Sequence, residues 1–215
     1  MSLTVNEIFH SIQGESTYAG RPSVFVRLTG CNLRCRYCDT RYAYHEGQPM
    51  AVDAILDRVA AFNWPLVEVT GGEPLLQTKT PALIYQLLES GYQVLMETNG
   101  SRDISAVDNR CIRIMDIKCP SSGEHLRNDP ANLSRLTEKD EIKFVIGDRE
   151  DYEFAKNTLL DSWDLAKRSN PVHFSPIHGI FNPKRLAEWI LKDRLDVRLH
   201  LQMHKVIWDP NKRGV

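Results

Sequence analysis

Gly30–Thr40 reads G-C-N-L-R-C-R-Y-C-D-T and sets three of the chain's five cysteines, Cys31, Cys35 and Cys38, within eight residues. Thiolates bind soft metals and iron-sulfur clusters, and this spacing lets one short loop fold around a single cluster. Three protein ligands on a four-iron cube leave one iron open to another molecule. A structural zinc site needs a fourth ligand, normally from a second close pair, whereas Cys111 and Cys119 stand far off and apart. A disulfide framework suits small secreted chains with an even cysteine count, and this chain has 215 residues and an odd count.

Outward from the loop, Ser23–Leu28 (S-V-F-V-R-L) alternates as a strand, with Val24, Val26 and Leu28 on one face and Phe25 and Arg27 on the other. Arg27 is either a surface charge or the planar fork that takes a substrate carboxylate. The second is preferred, since charge-assisted hydrogen bonds contribute roughly 1.5 to 3 kcal/mol. After Cys38, Asp39 is by charge the better oxygen ligand for Mg²⁺ and Thr40 a neutral, weaker one. Chemistry alone does not choose, and a loop Asp and Thr bonded to nearby backbone remain an alternative to either. Upstream, Thr4–Phe9 reads as a strand, and H-S-I-Q-G turns into a loop marked by Gly20 and Pro22. There Gln13 offers a donor and an acceptor to the edge of a heterocycle, and Glu15 accepts hydrogen bonds from amino groups.

Downstream the chain alternates strand and helix. Val52–Phe62 is helical with Asp53, Asp57 and Arg58 outward, and the strand Leu66–Val69 runs into T-G-G-E-P at 70–74, whose glycines let a ligand approach the backbone. Then come helix Pro81–Ser90, strand Tyr92–Glu97, strand Cys111–Lys118 with Asp116 and Lys118 on one face, and loop C-P-S-S-G, where Cys119 is a small loop residue rather than a fourth ligand. Strand Glu141–Ile146, helix Arg149–Asp164, strand Val172–Phe174, loop S-P-I-H-G and a last helix around Leu186–Leu191 follow. Recurring β/α units predict parallel strands. They are too few for eight strands, so a partial (β/α) barrel in one domain, 1–215, is expected, with ligands beyond the C-terminal strand ends. The tail Val197–Trp208 has period two, so a strand is expected, and the i, i+4 pair His200 and His204 is set aside as a metal site. His204, Lys205 and D-P-N-K-R-G-V are expected to close the site.

A net charge of −1 and a pI near 6.7 give no global field to recruit nucleic acid or an anionic membrane. No apolar run approaches the roughly 18 residues of a membrane helix, and M-S-L-T-V-N-E lacks a secretory pattern. The expectation is a cytoplasmic protein with reduced thiols.

C-x-x-x-C-x-x-C, with aromatic Tyr37 before its last cysteine, resembles the cluster loop of the radical S-adenosylmethionine (SAM) superfamily, where SAM's amino and carboxylate groups chelate the open iron. G-G-E-P follows at the superfamily's usual remove. With F-H-S-I-Q-G-E, R-L-T-G-C-N-L-R-C-R-Y-C-D-T, D-I-K-C-P-S-S-G, S-P-I-H-G and Q-M-H-K-V-I-W, nearly the whole chain resembles the 7-carboxy-7-deazaguanine synthases. That resemblance implies an α/β, partial TIM-like barrel of the radical SAM type. It implies a Mg²⁺-dependent lyase that contracts 6-carboxy-5,6,7,8-tetrahydropterin to 7-carboxy-7-deazaguanine with loss of ammonia, for queuosine and deazapurine biosynthesis. By position, Cys31, Cys35 and Cys38 would hold a [4Fe-4S] cluster and Thr40 the Mg²⁺, against the charge-based preference for Asp39. Ile12, Gln13, Gly14, Arg27 and Thr70 would line the pterin; Gly72, Cys119, Pro120, Ser121, Ser175, Pro176, Ile177 and His178 would cradle SAM. Some members use a terminal carboxylate near the counterpart of Pro210; here N-K-R-G-V continues, so Pro210 is not carried over. The resemblance further implies a homodimer and an electron donor such as a flavodoxin or ferredoxin. Rival readings are an activase that places a glycyl radical on a partner protein and, further off, a non-enzymatic iron-sulfur or zinc protein.

Overall fold

The computed structural model describes residues 2–161 and 170–215. Strand β1 (Ser2–Ile12) pairs antiparallel with β2 (Pro22–Leu28) on one side and with β3 (Gln48–Ala51) on the other. From β2 outward every pairing is parallel: β4 (Leu66–Gly71), β5 (Gln93–Thr98), β6 (Ile112–Ile117), β7 (Glu141–Ile146), β8 (Val172–Pro176) and β9 (Arg198–Leu199) follow in chain order. The two antiparallel pairings depart from the expected all-parallel sheet. The link from Ile12 to Pro22 holds no helix and folds back on itself, with Gln13 N donating to Arg21 O at 2.8 Å, and a connection that short cannot carry a parallel crossover.

Three expected boundaries also move. H-S-I continues β1 to Ile12 instead of turning, and Ser175 and Pro176 complete β8 instead of lying in its loop. The helix from Arg149 is seen to Asp161, and its expected remainder to Asp164 lies outside the described residues. In the tail only Arg198–Leu199 is strand, and His204–Ile207 forms a helical turn. Its period-two pattern is real but inverted: Leu199, Leu201 and Met203 are exposed, while Gln202 and His204 face the cavity described below.

The alternation of β2 sorts its faces as predicted. Val24, Val26 and Leu28 pack with Ile55 and Val59 of helix α1 (Val52–Ala60) and Leu83, Ile84 and Leu87 of α2 (Thr80–Glu89), all buried. A second cluster joins Phe144 and Phe174 of β7 and β8 to Tyr152, Ala155, Leu186 and Ile190 on the later helices. The other face is concave. Glu15, just past β1, reaches Lys143 on β7, and Thr17 N donates to Glu141 at 3.0 Å, contacts that a flat sheet of this order would keep apart. The sheet therefore curls into an open, partial (β/α) barrel, closed at one end by residues 13–17.

Behind the barrel, Arg113 and Asp140 are fully buried together. The carboxylate accepts from Arg113 Nε at 3.0 Å, Nη2 at 2.5 Å and the Arg113 and Thr137 amides at 2.8 and 2.6 Å. Replacing Asp140 by Ala leaves the guanidinium buried and unpaired, at a cost of about 3–5 kcal/mol. Urea denaturation followed by circular dichroism should show that loss as a lowered midpoint.

Candidate active site

A cavity of about 420 Å³ opens at the C-terminal ends of β2 and β4–β7. Cys31, Cys35 and Cys38 line one wall, all with free thiols. Their loop is pinned from below: Arg36 N donates to Ser122 O at 3.0 Å, and Arg34 N to Glu124 Oε1 at 2.8 Å. Cys31 Sγ accepts from Leu33 N at 3.4 Å, with Asn99 Nδ2 at 3.8 Å. Burial pushes the Cys35 thiol up to about 11 and raises the Cys31 thiol as well; as metal ligands, thiols bind deprotonated. Among the described residues no three His, Cys, Asp or Glu side chains converge as a single-ion site. The thiols instead share a wall.

The adjoining wall is built from glycine. Gly71 lies at φ +151°, and a Cβ there would fall 2.2 Å from Leu28 O; at Gly72 it would fall 2.3 Å from Gly30 O and 2.7 Å from Cys31 Cβ. These glycines thus let the β4 loop lie against the cysteine loop, a constraint within the chain, and Glu73 N donates to Gly30 O at 2.8 Å across the same contact. The Glu73 side chain turns inward instead. It accepts from Leu75 N, Thr98 Oγ1 and Asn99 N at 2.7 to 3.0 Å, so it ties the β4 loop to the end of β5 behind the cavity.

Charged side chains form the floor. Glu68 on β4, Glu97 on β5, Asp116 on β6 and Lys143 on β7 all line the cavity with Glu15. Lys143 Nζ bonds to Glu15 and lies 3.3 Å from Glu97 and 3.6 Å from Asp116. Burial would raise the Glu15 carboxyl, but Lys143 and His204 outweigh it and hold Glu15 well below the usual range. Glu68 goes the other way, pushed far up by burial and by the neighbouring Glu97 and Glu15. Gln13 spans the two, its amide donating to Glu68 while its Oε1 accepts from Glu15 N at 3.0 Å. Sequence analysis singled out Gln13 and Glu15 but passed over Glu68, Glu97 and Lys143. The signal was present: each is the lone charge within an apolar strand run (L-V-E-V, V-L-M-E, I-K-F-V).

Arg27 and Thr70 are register partners on β2 and β4. Arg27 Nε donates to Glu7 Oε1 at 2.7 Å, and Tyr42 OH donates to the same oxygen at 2.9 Å. With its guanidinium also over the rings of Phe9 and Tyr42, 5.7 and 5.9 Å from their centroids, Arg27 is oriented with its two terminal nitrogens left for a ligand. Asp39 pairs with Lys205 and accepts from Thr40 Oγ1 at 2.9 Å, and all three line the cavity. At the mouth, Gly14 lies under His204; a Cβ there would meet the ring at 2.1 Å, and Met203 N donates to Gly14 O at 3.0 Å. The tail does cover the site, and Pro210, Asn211 and Val215 line it too.

Ile12, Gly72, Ile177 and His178 face the cavity, whereas Cys119, Pro120, Ser121, Ser175 and Pro176 pack behind it. Ser121 is held by Asp151, which accepts from the Ser121 and Gly147 amides at 2.8 and 2.7 Å. Asp151 is a further residue that sequence analysis missed, and its helical position carries no signal. Two buried polar atoms on the cavity wall, Tyr37 Oη and Asp116 Oδ1, have no partner within the protein. Unpaired polar groups, three thiols and a glycine-lined wall fit a sulfur-ligated cluster with a polar nucleoside-like ligand beside it.

Comparison with known proteins agrees. Residues 25–116 match the model of the Radical SAM superfamily. The 7-carboxy-7-deazaguanine synthase of Chlorobaculum tepidum is 48% identical over 99% of this chain and 97% of its own, and that of Koribacter versatilis is 45% identical over 99% and 100%. The crystal structure of QueE from Escherichia coli superposes with a TM-score of 0.74 over 95% of both chains at 22% identity, a likeness of fold.

The Gly72–Cys31 contact predicts a loading defect without unfolding. Gly72→Ala should reduce iron and sulfide bound after anaerobic reconstitution several-fold while the far-ultraviolet circular dichroism of the unloaded protein stays that of the parent.

Proposed function

This chain belongs to the 7-carboxy-7-deazaguanine synthases within the radical SAM superfamily, and from that premise we propose how its cavity works. It is an enzyme that uses a [4Fe-4S] cluster and SAM and requires a reductant. The proposed substrate is 6-carboxy-5,6,7,8-tetrahydropterin, contracted to 7-carboxy-7-deazaguanine with loss of ammonia. Cys31, Cys35 and Cys38 would hold the cluster; with SAM it supplies one-electron cleavage of a carbon-sulfur bond and hence a radical able to abstract hydrogen. The observation that carries the substrate reading is the pairing of Arg27 and Thr70 across β2 and β4, in the same cavity as the cysteine loop.

The chain's own residues then bind and orient. Arg27, held at Nε by Glu7, offers its outer nitrogens to the substrate carboxylate, where charge-assisted bonds are strongest. Thr70 supports it from the next strand. Gln13, Ile12 and the backbone at Gly14 meet the heterocycle edge, with Gln13 kept in one amide orientation by Glu68 and Glu15. Thr40, beside Asp39, is the proposed Mg²⁺ ligand; the Asp39 carboxylate is already paired with Lys205, which favours the neutral hydroxyl over the charge-based choice. Gly72, Ile177 and His178 line the space for SAM, with Cys119, Pro120, Ser121, Ser175 and Pro176 shaping it from behind. Gly14, His204 and Lys205 close the mouth against water.

No helix among the described residues is long and apolar enough to cross a membrane, and five free cysteines suit a reducing compartment, so a cytoplasmic location is proposed. A homodimer is proposed on the tail face, where Leu199, Leu201, Met203, Val206 and Ile207 are exposed together. The proposed electron donor is a flavodoxin or ferredoxin.

Anaerobic reconstitution followed by SAM, dithionite, Mg²⁺ and 6-carboxytetrahydropterin should yield the deazapurine by mass spectrometry; its absence with an intact cluster overturns the substrate assignment. Arg27→Ala should raise the substrate KM about 10- to 150-fold, the loss of one charge-assisted contact, with SAM binding little changed. Equal losses for both ligands would remove the clamp role.

Arg27 also gives a subtler test. Glu7→Gln and Tyr42→Phe leave the guanidinium in place but loosen its aim, so each should raise KM for the pterin by less than Arg27→Ala does. Unchanged kinetics in both would show that Glu7 and Tyr42 do not position Arg27.

A further inference from the structure

The cysteine loop holds Arg34, Arg36 and Arg41, all exposed, in a chain whose net charge is −1. Among the described residues, no carboxylate forms an ion pair with any of the three. Asp39, the loop's own acid, is taken by Lys205. Arg34 Nη1 donates to the carbonyls of Cys31 and Leu33 at 2.8 and 2.7 Å, and Arg41 Nη2 to Arg36 O at 2.7 Å. Bonds to neutral carbonyls fix the side chains without cancelling their charge. Positive charge is thus concentrated on the exposed side of the loop that carries Cys31, Cys35 and Cys38.

The neighbouring turn extends this face. Ser122 O accepts from Arg36 N at 3.0 Å and Glu124 Oε1 accepts from Arg34 N at 2.8 Å, so residues 122–124 pack directly on the loop. Two residues on, Leu126 is 86% exposed, the most exposed large apolar side chain among the described residues, and exposed Arg127 follows it. A basic surface with one prominent aliphatic side chain fits an acidic protein partner, which supplies opposite charge for steering and an apolar spot for contact. A nucleic acid would need a longer basic track than one loop provides.

We infer that this face, formed by Arg34, Arg36, Arg41, Leu126 and Arg127, docks an acidic, low-potential electron-transfer protein. It rests on the proposal that Cys31, Cys35 and Cys38 hold the cluster. In the docked complex one electron leaves the donor and arrives on the cluster; the donor is oxidised by one electron, and no proton or group is exchanged. Steering by unpaired arginines accelerates encounter rather than chemistry, so its signature is a salt-dependent rate specific to the protein donor.

The test uses the full chain with its reconstituted cluster and a reduced, strongly acidic flavodoxin as probe. Arg36 and Arg127 are the sites of choice, because neither guanidinium is used to hold the cysteine loop. In stopped-flow absorbance at low ionic strength, the double variant Arg36→Glu/Arg127→Glu should accept electrons from flavodoxin about 10-fold more slowly or worse, and from dithionite within about threefold of the parent. Arg36→Lys/Arg127→Lys should retain the parent rate, and the parent's flavodoxin rate should fall as salt is added. A double glutamate variant reduced by flavodoxin as fast as the parent, a parent rate indifferent to salt, or equal slowing with both donors would each overturn the docking surface. If flavodoxin reduces the cluster in this charge-dependent way but dithionite, SAM and the pterin give no deazapurine, the substrate reading fails and the surface stands.

Discussion

A curled sheet that does not close on itself keeps the shape of a cavity on its concave face only if its two sides are tied across that face. Here the tie is the buried contact between Glu15, leaving β1, and Lys143 on β7, reinforced by Thr17 on Glu141 and by Gln202 Nε2 donating to Glu15 Oε1 at 2.7 Å. A buried pair is costly to assemble, because both ions lose water, and breaking it by deleting one partner is costlier still. Its value is therefore geometric. It fixes how far the first hairpin stands from the last strands, and so how wide the cavity is where the pterin is proposed to lie.

That tie constrains the protons on the floor. One lysine faces four carboxyls, Glu15, Glu68, Glu97 and Asp116, while Lys118 pairs with Asp116 at 2.9 Å. Lys143 touches Glu15 and lies near Glu97 and Asp116, so burial and charge act on these side chains together. Glu15, in direct contact with Lys143, is held well below the usual carboxylate range; Glu68 is pushed well above it by burial and by the neighbouring Glu97 and Glu15. Gln13 donates to Glu68 through its side-chain amide while accepting from Glu15 N, and so is held in one orientation.

Much of this was legible before any coordinates. β4, β5, β6 and β7 lie within about two residues of where apolar runs stop at glycine, proline or a polar cluster, because a strand covered on both faces leaves a continuous apolar signature. The face assignment of β2 held because only one register buries Val24, Val26 and Leu28. The cysteine loop, Arg27, Thr70 and Gly72, grouped beforehand by the family resemblance, line one cavity. What failed shares one cause: pattern reports which residues alternate, not which side is wet. The tail alternates as a strand would, yet its polar residues face inward because the cavity is itself polar. Gly71 and Gly72 announced a close approach, but only the structure shows that the partner is the cysteine loop. The inward turn of Glu73 and the grip of Asp151 on Ser121 are long-range contacts with no local mark.

The arrangement of Arg27 shows why those long-range contacts matter to chemistry. A guanidinium with all its nitrogens free would sample several orientations and lose entropy on meeting a ligand. Arg27 Nε and Tyr42 OH both donate to Glu7 Oε1, two rings cover the guanidinium face, and the outer fork alone remains available. The antiparallel hairpin supplies this directly, since Glu7 and Arg27 are register partners on β1 and β2, as Phe9 and Phe25 are, with stacked rings 4.9 Å apart. The departure from an all-parallel barrel is thus what aims the arginine: a parallel crossover would place a helix between β1 and β2, and Glu7 would not face Arg27 in this register.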